Sequence, residues 1–113
     1  MASLRISLEW AYSDQSGPDG WGYFVTLLSH GIMRACNPND VIGISLKEST
    51  PYRSAYLEKI SDVGYMGAVE VRDDGTCTSG TKCTVAPTGV ATKGDRWYVL
   101  NRLDKNTITI LFK

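Results

Sequence analysis

Asp73, Asp74, Cys77 and Cys83 fall within one eleven-residue span of the stretch AVEVRDDGTCTSGTKC, which runs from Ala68 to Cys83. Adjacent carboxylates can share a proton or hold a hard cation, and thiols can hold a soft metal. Acid–base chemistry, metal binding and ordinary turn-making therefore compete for this stretch. A calcium site takes roughly six to eight oxygens and a structural zinc site about four ligands. No EF-hand spacing follows the aspartates, and His30 is the only histidine. Asp side chains accept bonds from nearby backbone N–H groups, and glycine supplies positive φ. Asp73-Asp74-Gly75 thus reads as a turn that ends a strand, with no metal and no cofactor. Three cysteines are too few, and odd in number, for a disulfide framework. They read as free thiols, with a Cys77–Cys83 bridge as the alternative and Cys36 left without an obvious mate.

The remaining candidates are scattered. Glu9 alternates onto one face with Ser3, Arg5 and Ser7, where it reads as a partner for Arg5 more than as a base. His30, in LSHG, reads as a solvated turn residue. Trp10, Tyr12, Trp21 and Tyr23 flank a loop, Tyr12 to Gly22, that holds three glycines and a proline. Aromatics so placed anchor a loop or fill a subunit seam; a platform for stacking sugars is the alternative.

The elements that must position these residues are strands. Leu4, Ile6 and Leu8 alternate with polar residues, the period of a half-buried strand. YFVTLL, IMRAC, VIGISL, GAVEVR, KCTVAP, GVATK, RWYVLNRL and TITILFK follow, separated by turn-rich segments. DKN between the last two is a hairpin signal, and Gly43 inside VIGISL predicts a close backbone approach. YRSAYLEKI allows two turns of helix or a long loop. Trp97 and Tyr98 point to opposite sides, one into the core and one to a second interface. On the final strand Thr107, Thr109 and Leu111 face one way and Ile108, Ile110 and Phe112 the other, so both faces are fairly apolar. Such a strand is expected between two layers or against another subunit. The expectation is one all-β domain over residues 1–113, a small barrel or sandwich of about eight short strands. Leu4, Ile6, Leu8, Trp97, Ile108, Ile110 and Phe112 are its interface candidates.

Charge removes several roles. Twelve basic residues balance twelve acidic ones, leaving no excess to neutralise nucleic-acid phosphates or an anionic membrane surface. No apolar run approaches the ~20 residues of a membrane-spanning helix, and no signal segment opens the chain.

EWAYSDQSGPDGWGYFVTL, DVIGIS, VEVRDDGTC, GVATKGDRWYVLNRLDKN and TITILFK together resemble the peptidase G2 family, the C-terminal autocleavage and chaperone domains of phage tailspikes and appendage proteins. The likeness covers nearly the whole chain and is weakest from Lys47 to Gly64. It implies a β-rich domain that assembles as a homotrimer at the end of an upstream fibre, brings the fibre chains into register, and then cuts itself free at a Ser–Asp bond. It places the domain in the virion tail or appendage, or in the host cytoplasm during assembly. The family pattern runs Ser-Asp-Tyr-Ala-Glu, two residues, then Glu-Trp. Glu9 and Trp10 match the last pair. The family's glutamate then falls on Ile6, its aspartate on Ser3 and its serine on Ala2. Ile6 carries no proton, so the resemblance implies an assembly domain without self-cleavage; an active self-cleaving peptidase and a glycan- or receptor-binding module are the alternatives. Leu4 and Ile6 are also apolar changes compatible with redesign, and assembly of trimers into larger particles is left open.

Overall fold

The computed structural model describes residues 3–9, 21–29, 31–46 and 60–112, with backbone alone at 3, 5, 7, 9 and 60–62. The alternating segments form β1 (Ser3–Glu9), β2 (Phe24–Leu28), β3 (Gly31–Arg34), β4 (Gly43–Ser45), β5 (Ile60–Arg72), β6 (Lys82–Val85), β7 (Ala91–Lys93), β8 (Trp97–Asp104) and β9 (Thr107–Phe112). One short 3₁₀ turn, Pro38–Asp40, is capped by Asn37, whose Oδ1 accepts from Asn39 N at 3.0 Å. The strands form one antiparallel sheet in the order β3-β2-β4-β5-β9-β8-β6-β7, with β1 added on β5. The all-β expectation holds. The sheet curls into a half-barrel. Phe24 N donates to Gly89 O at 2.9 Å and Asp74 N to Ala91 O at 3.0 Å, which draws the sheet's ends inward.

β5 departs most from expectation. The sequence predicts a strand beginning at Gly67, yet pairing starts at Ile60 and runs for 13 residues. β1 holds one edge, opposite residues 60–67. The other edge is shared end to end: β4 lies opposite Val63 and Gly64 and β9 opposite residues 67–72, so Gly67 is flanked by Ser3 on one side and Phe112 on the other. The anticipated close approach at Gly43 is present, since a Cβ there would sit 2.6 Å from both Gly64 O and Val63 Cγ1. The possible helix in YRSAYLEKI lies outside the described residues up to Lys59, and Ile60 already belongs to β5.

The inner face packs Phe24, Ile44, Val69, Val71, Val99, Ile108 and Ile110 with an aromatic stack. Trp97 is its centre, with ring centroids 4.7 Å from Phe24 and 5.5 Å from Phe112. Four of the interface candidates are accounted for here. Trp97, Ile108, Ile110 and Phe112 are buried within the single chain, because the curl of the sheet brings their shared face against β2 and β4. A smaller cluster of Val25, Ile32 and Val63, with Leu8 packed on it, sits on the opposite face.

Candidate functional site

The acidic turn is fully engaged. Asp73 is buried, and its Oδ2 accepts from Gly75 N at 3.1 Å and Cys77 N at 3.4 Å. Arg102 clamps the same carboxylate with both terminal nitrogens, Nη2 to Oδ2 at 2.6 Å and Nη1 to Oδ1 at 3.1 Å. Its spare donors reach Cys77 O at 2.6 Å and Asp104 O at 2.8 Å. A bidentate guanidinium–carboxylate pair whose carboxylate also accepts two backbone N–H bonds is a structural clamp. Asp74 Oδ1 accepts from Thr76 N at 3.1 Å and Thr76 Oγ1 at 2.6 Å. Partial burial raises the Asp74 carboxyl, but the bonds from Thr76 and Thr92 outweigh it and hold the group below its usual range. Gly75 takes φ +92°, as the turn requires.

Carboxylate oxygens of Asp73 and Asp74 and the Cys77 sulfur lie within 4.8 Å of one another, close enough to resemble a ligand set. Their chemistry does not fit a resident cation. The Arg102 charge already occupies both Asp73 oxygens, and burial pushes the Cys77 thiol up to about 11, with Asp73 and Asp74 adding to the shift. The sequence identifies the turn. It misses Arg102, which reaches the core side of β8 only because a bulge at Leu100 resets the alternation.

The cleavage-site positions are not brought together with these groups. Ser3 opens β1, Ile6 is half exposed on the outer face, and Glu9 closes β1, with the side chains of Ser3 and Glu9 outside the description. Ala2, Trp10, Tyr12 and His30 also lie outside the described residues. Trp21 and Tyr23 are half-buried. The Arg72 guanidinium stands 4.4 Å over Trp21 and 5.2 Å over Tyr23, and Arg34 lies 4.0 Å over Tyr23. Arg72 Nε also donates to Trp21 O at 2.8 Å. These two rings seat arginines and do not form an open ridge.

Strand register exposes a different feature. Residues directly opposite on paired strands share a face, as do residues two apart on one strand. Leu4 opposes Met66, Ala68 opposes Leu111, and Leu111 opposes Tyr98. A bulge that leaves Tyr65 unpaired keeps Ile6 and Leu8 on this same outer face, with Val63 opposite Ile6. At one end the small Val25–Ile32–Val63 cluster covers Leu8. At the other end the row stays open: Leu4 is 52%, Ile6 51%, Met66 48% and Tyr98 51% exposed, with Ala68 and Leu111 half-buried between them. Lys82 Nζ stands 4.7 Å over the Tyr98 ring and is the one charge in the register row. Leu4 and Ile6 are legible as candidates from their alternation. The outward side of Tyr98 is legible from its alternation with the buried Trp97; Met66 is not legible, because its placement depends on the Tyr65 bulge.

No family model matches the sequence, and no curated protein matches it. Two solved structures share the fold. The C-terminal fragment of bacteriophage phi29 gene product 12 aligns with a TM-score of 0.76 at 18% identity, over 97% of this chain and 99% of that one. The pre-mature bacteriophage phi29 gene product 12 aligns with a TM-score of 0.75 at 18% identity, over 99% of this chain but 21% of that longer one. At this identity the likeness establishes a shared fold. Among the described residues no helix is long and apolar enough to cross a membrane.

Proposed function

We propose that this chain is an assembly domain of a phage tail fibre or appendage protein, that it associates as a homotrimer through the open half of the outer face, and that it does not cleave itself. The carrying observation is the row Leu4, Ile6, Met66 and Tyr98, about half exposed on a sheet whose other face is closed. Contiguous exposed apolar surface marks an interaction site. The shared fold with phi29 gene product 12 and the resemblance to the peptidase G2 family favour a second and third copy of the same chain, below an upstream fibre, as the partners. The virion, with the host cytoplasm as the place of assembly, is the corresponding location.

Peptide-bond cleavage needs a nucleophile, a proton carrier and a place for the oxyanion. At the position where the resembled family carries its glutamate, Ile6 offers a hydrocarbon that belongs to the proposed seam. Light scattering at micromolar concentration tests assembly: a trimer mass is expected, and a stable monomer overturns the reading. Fusing a fibre segment ahead of Ser3 tests inactivity. The fusion is expected to stay intact, and release of the domain on a gel overturns that part alone.

A further inference from the structure

We propose that the edge of β5 beyond Gly67 is a docking edge for the polypeptide that enters the domain at Ser3, which prolongs β1 opposite Ala68, Val69 and Glu70. β9 covers one side of β5 without interruption from Gly67 to Arg72. β1 covers the other side only as far as Gly67. Asp73 N donates to Asn106 O at 2.9 Å on the β9 side, whereas Arg72 N donates to Gly22 O at 2.8 Å on the other. Along a paired strand the N–H and C=O groups change sides at each residue. Counting back from Arg72, both backbone groups of Glu70 and of Ala68 therefore face away from β9, in line with β1. None of the described strands meets them there. Such an edge is a template for strand addition. Gly22 O has taken Arg72 N, so Glu70 supplies the last open pair of groups.

Two observations select the occupant. The first is continuity. β1 is antiparallel to β5, with Leu4 opposite Met66 and Ser3 opposite Gly67, so the residue ahead of Ser3 is delivered opposite Ala68 without a turn. The second is the pattern of side chains beside the open edge. Ala68 is half-buried on the outer face, across from Leu111 and in the row of Leu4 and Met66. Val69 is buried and belongs to the core cluster. Glu70 is exposed on the outer face, across from Thr109. Reading away from Ser3, the segment that fits has a small residue facing out, an apolar residue facing in, and a basic residue facing out opposite Glu70. Ala2 and Met1 are of the first two types. Backbone bonds hold the segment and the alternating side chains select it. This inference rests on the proposed place of the domain below an upstream fibre. Its test reads this edge alone and light scattering reads association alone, so either can fail without the other.

The test compares amide hydrogen exchange, read by NMR, in the 113-residue chain and in the same chain carrying Ser-Val-Lys ahead of Met1. The register of β1 on β5 sets the added lysine opposite Glu70. With the extension, the Glu70 amide is expected to exchange about tenfold more slowly, the ratio that one net backbone hydrogen bond supports. The added lysine's own amide is expected to slow with it, while the Met1 amide, on the far side of the added strand, stays fast. Val69 and Val71 donate toward β9 and are expected to exchange alike in both chains. A Glu70 rate that the extension leaves unchanged would overturn the proposal. So would a Glu70 amide already slow in the unextended chain. Slowing that grows with protein concentration would assign the edge to a second copy, and slowing at every concentration would assign it to another part of the same chain.

Discussion

The inner and outer faces are cut from the same strands, but only one is finished by the chain itself. On the inner face Trp97 stacks between Phe24 and Phe112, Asp73 and Arg102 satisfy each other, and Cys77 and Cys83 are fully buried. On the outer face the row from Leu4 to Tyr98 is closed at the Leu8 end and open at the other. A protein that can bury one side this completely does not lack apolar residues for the other. The contrast separates residues whose loss unfolds the domain from residues whose loss leaves it folded but alone.

The largest expected effect breaks the inner face. Trp97→Ala removes the middle ring of the stack and is expected to cost about 4 kcal/mol of stability, read from urea unfolding. Asp73→Ala leaves Arg102 without its carboxylate and should cost about 3 kcal/mol; an unchanged urea midpoint would show that the pair is dispensable. Met66→Asp reverses the pattern. It is expected to shift the fold by less than about 0.5 kcal/mol, yet to weaken self-association by about 2 kcal/mol per contact, seen as monomer by sedimentation. If Met66→Asp instead unfolds the protein, the outer face is part of the core and the comparison fails.

Smaller effects come from pH. The buried thiols have raised folded-state values, so their contribution is complete below the ordinary value of 9.0 and is lost as pH rises toward about 11 and about 12. Melting temperature should fall across that alkaline window, and less steeply in Cys83→Ala. Asp74 and Asp104 titrate lower when folded, Asp74 through its bonds from Thr76 and Thr92 and Asp104 chiefly through the bond from Asn106 N. Their contribution is present above the usual carboxylate value of 3.8 and is lost on acidification through the lowered one, a small drop in melting temperature.

Much of this architecture is legible in the sequence where a local rule decides it. Alternation gives β1, β8 and β9, DKN gives the hairpin, Asp73-Asp74-Gly75 gives the turn, and Gly43 signals the crowding against Gly64. The two apolar sides of β9 are also visible, and of the covers expected for them the chain's own curl supplies one, over Ile108, Ile110 and Phe112, while on the other side Leu111 joins the open row. What alternation hides are the bulges. The one at Leu100 swings Arg102 inward to Asp73, and the one at Tyr65 carries Met66 to the same side as Leu4. A bulge shifts the phase of a strand by one residue and leaves no fixed residue type behind, so neither the clamp nor the full row follows from period-two patterning.

Ser3 and Phe112 meet Gly67 from opposite edges of β5. Past that residue β9 carries one edge on to Arg72, while β1 has left the other. An extended polypeptide running on in line from Ser3 would therefore follow a lane, beside Ala68, Val69 and Glu70, that none of the described strands occupies.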